Sequence, residues 1–567
     1  VLLLVPLALV LKSVLVAAAV LEPDGWAALV VLTAVPLLLL LLSPALLVHG
    51  RARTAYLVGV DLLVTLLLVG DLVNARVSGR LLSVHMLSAA GTFEGLGSSV
   101  LDAADWPDLL LFADLLAVAA LAIAARGRDR RAARTSSVPR LGARGRAVAV
   151  VAPAALLAFV AQLLLQTSDP GLRVAVLSPL GTHAHQAWDQ LIDDNEALTP
   201  EERERVADWF AANAAYHQAA PEHEDLVGLL EGRDVYLVVL ESLEQVVLGA
   251  RPYGQEVTPT LNGWVEESLV FDAVQEQVRD GNSSDAELLM LAGVYPLRSG
   301  AAFLRFPDNA GYTTLPGLLV EEGYRPVALH ADAATFWNRH VVYPHLGFER
   351  YVAEDDFAVG GREVGMGLAD EDLFDQALRE LDRVPSPRFL HLVTLTSHTP
   401  WHLPEDLQGL ELPDDDATSR YLQSVHYADA ALGEFARRLD ERGLLDTAAI
   451  VVVGDHRGPH KYAPEDERWL TGDDGRVPFL VHVPGMDGRR ISTPGGQVDV
   501  LPTLAQLLGI PAERYAGSVM GRTLLGTHSG SAVTPDGTVL PGADGAGQLA
   551  DAYEIADLAV SGDWFTQ

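Results

Sequence analysis

Cysteine is absent from all 567 residues, which excludes disulfides, thiolate metal sites and any catalytic group derived from a cysteine. Lysine is nearly absent, with Lys12 and Lys461 the only two. Positive charge is scarce altogether: 40 Lys and Arg stand against 75 Asp and Glu, a net charge of −35. So negative a chain repels phosphate backbones, so nucleic acid is not an expected partner. A salt-adapted or GC-rich genome explains the same bias. The chain opens at Val1 rather than Met, as expected of a trimmed or non-standard start.

What is present divides near residue 167. The first 167 residues are overwhelmingly apolar and hold 13 basic and 10 acidic side chains; the remainder holds 27 and 65 and reads as acidic and globular. Five apolar stretches, near 1–21, 26–49, 55–74, 108–125 and 147–167, approach the roughly 20 residues that cross a hydrocarbon core. A cleaved signal peptide does not suit the first, because more spans follow. The loop 126–146 carries Arg126, Arg128, Arg130, Arg131, Arg134, Arg140, Arg144 and Arg146 against Asp129 alone, which places it in the cytoplasm. Arg51 and Arg53 share that side, and Glu22 and Asp24 lie opposite. One topology satisfies these loops: N-terminus in, five spans, and everything after residue 168 outside. Lys12, Asp61 and Asp114 fall in or near the spans. Snorkelling of Lys12 with burial of the aspartates between helices is one reading, and a polar patch facing lipid head groups is the other. Loop 75–107, with Leu81, Leu82, Met86 and Leu87, suits an interfacial helix.

Beyond the spans, Thr199-Pro200-Glu201-Glu202 opens a helix running to about Tyr216. Within it, Ala212-Asn213-Ala214 has the small-x-small pattern of a signal-peptidase site. From about 233 strands and helices alternate. The strands are Val235–Leu240, Pro326–Leu329, Phe389–Leu395, Ala449–Val453 and Pro478–Val483; the helices include Leu315–Glu322, Thr418–Arg442 and Val500–Leu508. This order predicts an α/β domain with a parallel or mixed sheet covered by helices on both faces. Ligands collect at the carboxyl ends of such strands. Glu241, Asp455-His456, His330 and Ser397-His398 end or follow four of them.

Glu241 follows Val-Tyr-Leu-Val-Val-Leu, and Asp455 and His456 follow Ile-Val-Val-Val-Gly. Taken alone, a strand-end carboxylate caps a helix as readily as it holds a metal. With Ser283 these residues supply three oxygens and an imidazole nitrogen, a set that suits Mn²⁺ or Mg²⁺, with Zn²⁺ as an alternative. Ser283 precedes Ser284-Asp285-Ala286-Glu287 and an apolar run, so it sits where a helix starts and free amides meet a phosphate oxygen. Ser284 and Glu287 have the spacing of a capping box. His330, Asp332, Trp337 and Arg339 fall within ten residues. Arg339 has the fork that grips phosphate through two parallel bonds, and Trp337 is either a pocket wall or core. His398 is a candidate acid or base. Together these residues point to metal-assisted phosphoryl or sulfuryl transfer.

Glu241-Ser242, the Gly281–Glu287 run, Phe336-Trp337-Asn338-Arg339, Thr396–His398 and Gly454-Asp455-His456 resemble, in this order, the motifs of bacterial lipoteichoic acid synthases. These are membrane phosphoglycerol transferases of the alkaline phosphatase/sulfatase superfamily. The likeness covers nearly the whole chain, including Gly95-Leu96-Gly97-Ser98-Ser99 and Val498–Thr503. It implies a bundle of five transmembrane helices (1–168), an extracytoplasmic helical linker (169–232), a sulfatase-like domain with a central mixed sheet (233–525) and a C-terminal extension (526–567). It also implies Mn²⁺ on Glu241, Ser283, Asp455 and His456, with glycerol-phosphate contacts from His330, Asp332, Trp337, Arg339 and His398. The nucleophile would be Ser283, where the family usually has Thr. The sulfatase pattern, Cys or Ser two residues before Pro, is missing at 281–287.

The expected activity is transfer of glycerol phosphate from phosphatidylglycerol to a glycolipid or polyglycerol-phosphate acceptor, outside a bacterial plasma membrane. A phosphoethanolamine transferase or phosphodiesterase is the nearest rival, and a catalytically silent polymer-binding membrane protein the more distant one. The resemblance also implies release of the outer domain by cleavage near Ala212–Ala214.

Overall fold

The computed structural model describes residues 4–21, 26–78, 81–84, 104–118, 120, 143–164, 170–193, 197–358, 361–458, 475–526 and 528–566. The chain divides into two compact units, one of residues 1–84 and 100–191, the other of residues 85–99 and 192–567.

The first unit contains α1 (Leu4–Ala18), α2 (Ala27–Leu42), α3 (Gly50–Ser78), α4 (Ala143–Leu163) and α5 (Pro170–Asp193). These helices bury one apolar stripe, including Val5, Leu9, Val16, Val30, Ala34 and Leu38, and leave Leu7, Leu11, Leu32 and Leu63 exposed. Apolar surface on both sides is what a helix surrounded by lipid requires. Of the five expected spans, two among the described residues are long and apolar enough: Ala27–Leu46 and Gly50–Arg76. Leu4–Ala18 and Val150–Leu163 are apolar but shorter. At 1.5 Å per residue, fifteen residues of α1 reach only about 22 Å of a core roughly 30 Å thick. The stretch expected as a span at 108–125 starts as a 3₁₀ helix, Trp106–Phe112, tied down by two Arg76–Asp108 bonds of 2.6 Å. It continues as α-helix through residue 118; residues 119 and 121–125, the arginine-rich loop through residue 142 and the Gly95–Ser99 run lie outside the described residues.

Lys12 does not snorkel. Its ammonium is buried, 2.8 Å from both Asp61 and Asp114 and 2.7 Å from the Thr65 hydroxyl. Asp71 likewise meets His183 Nε2 at 2.9 Å. An ammonium in an apolar bundle that reaches two carboxylates has no reason to stretch towards water.

The second unit is built on eight strands: β1 (Asp234–Leu240), β2 (Ser268–Phe271), β3 (Arg325–His330), β4 (Arg350–Val352), β5 (Arg388–Val393), β6 (Ala448–Gly454), β7 (Phe479–His482) and β8 (Arg489–Ile491). Their order across the sheet is β8-β2-β7-β6-β1-β5-β3-β4. Strands β6, β1, β5, β3 and β4 run parallel, while β7 is antiparallel to both its neighbours, so the sheet is mixed. Alternation along β1 divides the core. Val235, Leu237 and Val239 face one apolar cluster, and Tyr236, Val238 and Leu240 the other. Helices Asp370–Leu381 and Ala417–Glu441 cover the second face. The first is covered by α6 (Pro200–Asn213), α7 (Ser283–Ala292), Val500–Leu507 and Ala552–Ser561. Burial on both faces explains why the central strands read as unbroken apolar runs.

Segment 169–232 therefore contributes to both units: α5 belongs to the first, whereas Val206, Trp209 and Phe210 of α6 enter the core of the second. Tyr553, Ile555 and Val560, near the C-terminus, join the same core. A cleavage at Ala212–Ala214 meets an obstacle, because Asn213 is wholly buried and its Nδ2 donates to the carbonyls of Val519, Met520 and Gly521. A protease needs an extended segment, and this one is locked in a packed helix.

Candidate active site

Register places the carboxylates. Leu240 of β1 pairs with Gly454 of β6 in parallel, so Glu241 and Asp455 leave the sheet side by side. One imidazole follows at once. His456 Nε2 lies 3.3 Å from Glu241 Oε1 and 3.5 Å from Asp455 Oδ2, and all three side chains are buried. His456 Nδ1 donates to the Arg457 carbonyl at 2.9 Å, which leaves the Nε2 lone pair directed into the cluster. Asp455 Oδ1 accepts from the amides of Ser242 (2.7 Å) and His456 (2.8 Å), while its buried Oδ2 has no hydrogen-bond partner. A buried oxygen without a donor beside an imidazole lone pair is costly unless a cation joins them. The donor set fits a divalent metal.

Ser283 completes the group from the other direction. Its partly exposed hydroxyl donates to Glu241 Oε2 at 3.5 Å, and it is the first residue of α7. The turn before it is unusual: Asn282 has φ 43° and ψ −118°. Asp285 Oδ2 braces that turn by accepting from the amides of Arg279 and Gly281, both at 2.9 Å. A Cβ on Gly281 would lie 2.2 Å from the Asp285 carboxylate, so only glycine fits. The expected capping box does not form. Ser284 Oγ donates to the Gly281 carbonyl, and Glu287 turns away to Arg339, because the buried guanidinium competes better for a carboxylate than a backbone amide does.

The second group of expected residues gathers at the ends of β3 and β5. His330 pairs in register with Val393, and its Nδ1 donates to the Val393 carbonyl at 3.0 Å. His398 Nδ1 does the same to the Thr399 carbonyl at 2.6 Å. Both rings therefore present Nε2 as an acceptor. Burial holds His330 neutral, well below the ordinary histidine range, and pushes His398 down to about 4. His398 is thus a neutral imidazole at neutral pH. Burial acts oppositely on Asp332, raising its carboxyl to about 6 against the opposing pull of the Ala333 amide and Arg339. His330 Nε2 and Asp332 Oδ2 have no hydrogen-bond partner.

Two residues differ from expectation. Arg339 does not offer a free fork: Nε and Nη2 both bind Glu287 Oε1, at 2.9 and 2.6 Å, leaving Nη1 alone unpartnered. Trp337 is no member of a regular helix. It lies in the 3₁₀ turn Phe336–Asn338 with φ 53°, followed by Asn338 at φ 55°, and it is 5% exposed. Ser242, Asn282 and Trp401 adopt left-handed φ as well. Each adjoins or lies within three residues of an expected site residue, and such strain clusters at functional sites.

Sequence reasoning missed the supporting residues. Ser242 Oγ donates to Glu241 Oε1 at 2.8 Å, and Gln497 Nε2 reaches the Gly454 carbonyl at 3.0 Å. Asp370 Oδ1 accepts from the amides of Leu395 and Thr396, bracing the turn that carries His398. Only Ser242, adjacent to Glu241, carried a local signal.

A mixed α/β sheet with a buried carboxylate–imidazole cluster facing a hydroxyl at a helix start defines a sulfatase-like domain, and the sulfatase family profile matches residues 233–510. The profile of the lipoteichoic acid synthase N-terminal domain matches residues 1–190, so the chain resembles the lipoteichoic acid synthases in both of its parts. It is 29% identical over 474 residues to the lipoteichoic acid synthase-like YvgJ of Bacillus subtilis (strain 168), covering 81% of this chain and 76% of that one. It is 28% identical over 504 residues to lipoteichoic acid synthase 1 of the same organism, and equally to the lipoteichoic acid synthase of Staphylococcus aureus (strain NCTC 8325 / PS 47), covering 84% of this chain and 76% of each. The crystal structure of lipoteichoic acid synthase LtaP from Listeria monocytogenes shares the fold, with a TM-score of 0.53 at 24% identity over 64% of this chain and 98% of that one.

Proposed function

We propose that the protein is a membrane-anchored phosphoglycerol transferase that takes glycerol phosphate from phosphatidylglycerol and passes it to a glycolipid or polyglycerol-phosphate acceptor. The observation that carries this reading is the placement of Ser283, partly exposed at a helix start, against the Glu241–Asp455–His456 cluster. Glu241, Asp455, His456 and Ser283 would hold Mn²⁺, with Mg²⁺ or Zn²⁺ as alternatives. When bound, such an ion lowers the pKa of the serine hydroxyl and offsets charge developing on phosphorus.

Ser283 Oγ bonds to phosphorus, the bond from phosphorus to the diacylglycerol oxygen breaks, and the serine proton ends on that oxygen. In the second half the acceptor hydroxyl attacks the phosphoglycerol-serine, and Ser283 recovers a proton. Dividing one transfer into two displacements is the use of a covalent nucleophile. His398, neutral with Nε2 free of its proton, is suited to take the acceptor's proton. His330 Nε2 and Asp332 Oδ2 supply acceptors for glycerol hydroxyls, Arg339 Nη1 a donor for a phosphate oxygen, and Trp337 a wall. The spans anchor residues 1–168 in a bacterial plasma membrane with the catalytic domain, 233–525, outside.

Incubation of the full chain with labelled phosphatidylglycerol and Mn²⁺ tests this reading. Diacylglycerol and glycerol-phosphate chains are the expected products. Diacylglycerol with only free glycerol phosphate would assign a phosphodiesterase instead, and preferential turnover of phosphatidylethanolamine an ethanolamine head group. Binding of polymer without turnover would leave the silent reading.

A further inference from the structure

The carboxylate of Glu287 is wholly buried on α7, four residues after Ser283 and therefore on the same helix face as the nucleophile. Both its oxygens are committed. Oε1 accepts from Nε and Nη2 of Arg339, and Oε2 accepts from the Tyr343 hydroxyl at 2.6 Å. Arg339 and Tyr343 are themselves one turn apart on the helix Arg339–His345. The guanidinium is 1% exposed, packs over Phe336, and retains a single unpartnered nitrogen, Nη1. Upstream, two left-handed residues, Trp337 and Asn338, deliver the chain to this point, and Asn338 Nδ2 donates to the Phe303 carbonyl at 3.1 Å. A salt bridge serving stability alone has no need of strained backbone, and buried pairs are often no more stable than apolar replacements.

We infer that Glu287 is a positioning residue that pins Arg339 to the helix carrying Ser283, so that Nη1 alone meets the transferred phosphate. This rests on the reading of Arg339 as a phosphate contact. The carboxylate has two opposed effects. It neutralises much of the guanidinium charge and so weakens attraction for a free phosphate. It also removes the torsional freedom of the guanidinium, so the donor is already aimed when phosphorus is attacked. Orientation of this kind shows in turnover rather than in ground-state affinity.

The test is Glu287→Gln in the full-length, metal-loaded protein, read by kcat with phosphatidylglycerol and by calorimetric Kd for sn-glycerol 3-phosphate. The amide keeps the shape, halves the acceptors and removes the neutralising charge. Turnover should fall about tenfold or more, while glycerol phosphate binds as tightly as before or tighter, at unchanged Mn²⁺ stoichiometry. Wild-type turnover, or an affinity loss that parallels the loss of turnover, would overturn the inference. If Glu287→Gln does not fold, Tyr343→Phe loosens the same carboxylate without changing charge. It should lower turnover with Kd unchanged, and wild-type turnover there would overturn the inference equally. Arg339→Met separates the two layers: unchanged glycerol-phosphate affinity in that variant removes the phosphate contact itself, whatever Glu287→Gln does.

Discussion

Ser283 and Glu241 stand 42 positions apart in sequence and meet through a hydrogen bond of 3.5 Å, one at the start of a helix and the other at the end of the central strand. The contact is long for a hydroxyl–carboxylate bond, which leaves the serine oxygen free to approach a third group. Nothing else among its described contacts restrains the Ser283 side chain.

Ser283→Ala should therefore abolish diacylglycerol release and leave the fold intact. The lost bond is weak and the position partly exposed, so stability should change by only about 0.5 kcal/mol. A melting curve beside a lipid assay checks both. Substantial turnover by the alanine variant at full metal loading would remove Ser283 as the nucleophile.

Asp455→Asn and Glu241→Gln should lower Mn²⁺ affinity by at least about tenfold, as removal of an anionic ligand or its supporting bonds does. Asp455→Asn should be the more severe. Its oxygen must keep serving the Ser242 and His456 amides, which turns the Asn amide nitrogen, a donor, towards the ion. Metal content after dialysis measures this directly, and normal turnover in chelator would contradict the site.

How much of this was legible in the chain follows from which interactions are local. Apolar runs doubly buried in a sheet announce themselves, so Glu241, Asp455 and His456 could be placed at strand ends from sequence. Parallel register then put Glu241 beside Asp455, as the Leu240–Gly454 pairing shows. The partner of Arg339 was illegible. Glu287 lies 52 residues away, and its spacing from Ser284 imitated a capping box. The left-handed backbone at Trp337 and Asn338 was equally hidden, because neither is a glycine and tertiary contacts impose it.

That hidden pair changes what thermal melts report. Arg339→Met leaves Glu287 buried and unpaired, which costs about 3–5 kcal/mol. A large fall in melting temperature is thus expected whether or not Arg339 contacts phosphate, and stability alone does not separate a binding role from a packing role. Glu287→Gln/Arg339→Met together should recover part of the loss, since no buried charge then remains. A double variant no more stable than Arg339→Met alone would show that the pair contributes through packing only.

Asp332 yields a prediction in pH. Burial raises its carboxyl from 3.8 to about 6, so the folded protein holds the proton more tightly than the unfolded chain does. Stability from this group is fully present below pH 4 and is lost as pH rises through 6, by roughly 3 kcal/mol in all. Under the proposed glycerol contact, binding runs the other way, because only the ionised carboxylate could accept from glycerol hydroxyls through both lone pairs of the unpartnered Oδ2. The KM for phosphatidylglycerol should rise as pH falls from 7 to 5, with a midpoint near 6. Asp332→Asn should flatten that limb, raise KM at pH 7 and increase the melting temperature at neutral pH relative to the wild type. A pH profile of KM for both proteins, with melts at pH 5 and 7.5, checks these outcomes together. An acid limb that survives unchanged in Asp332→Asn would assign it to another group and remove Asp332 from glycerol recognition.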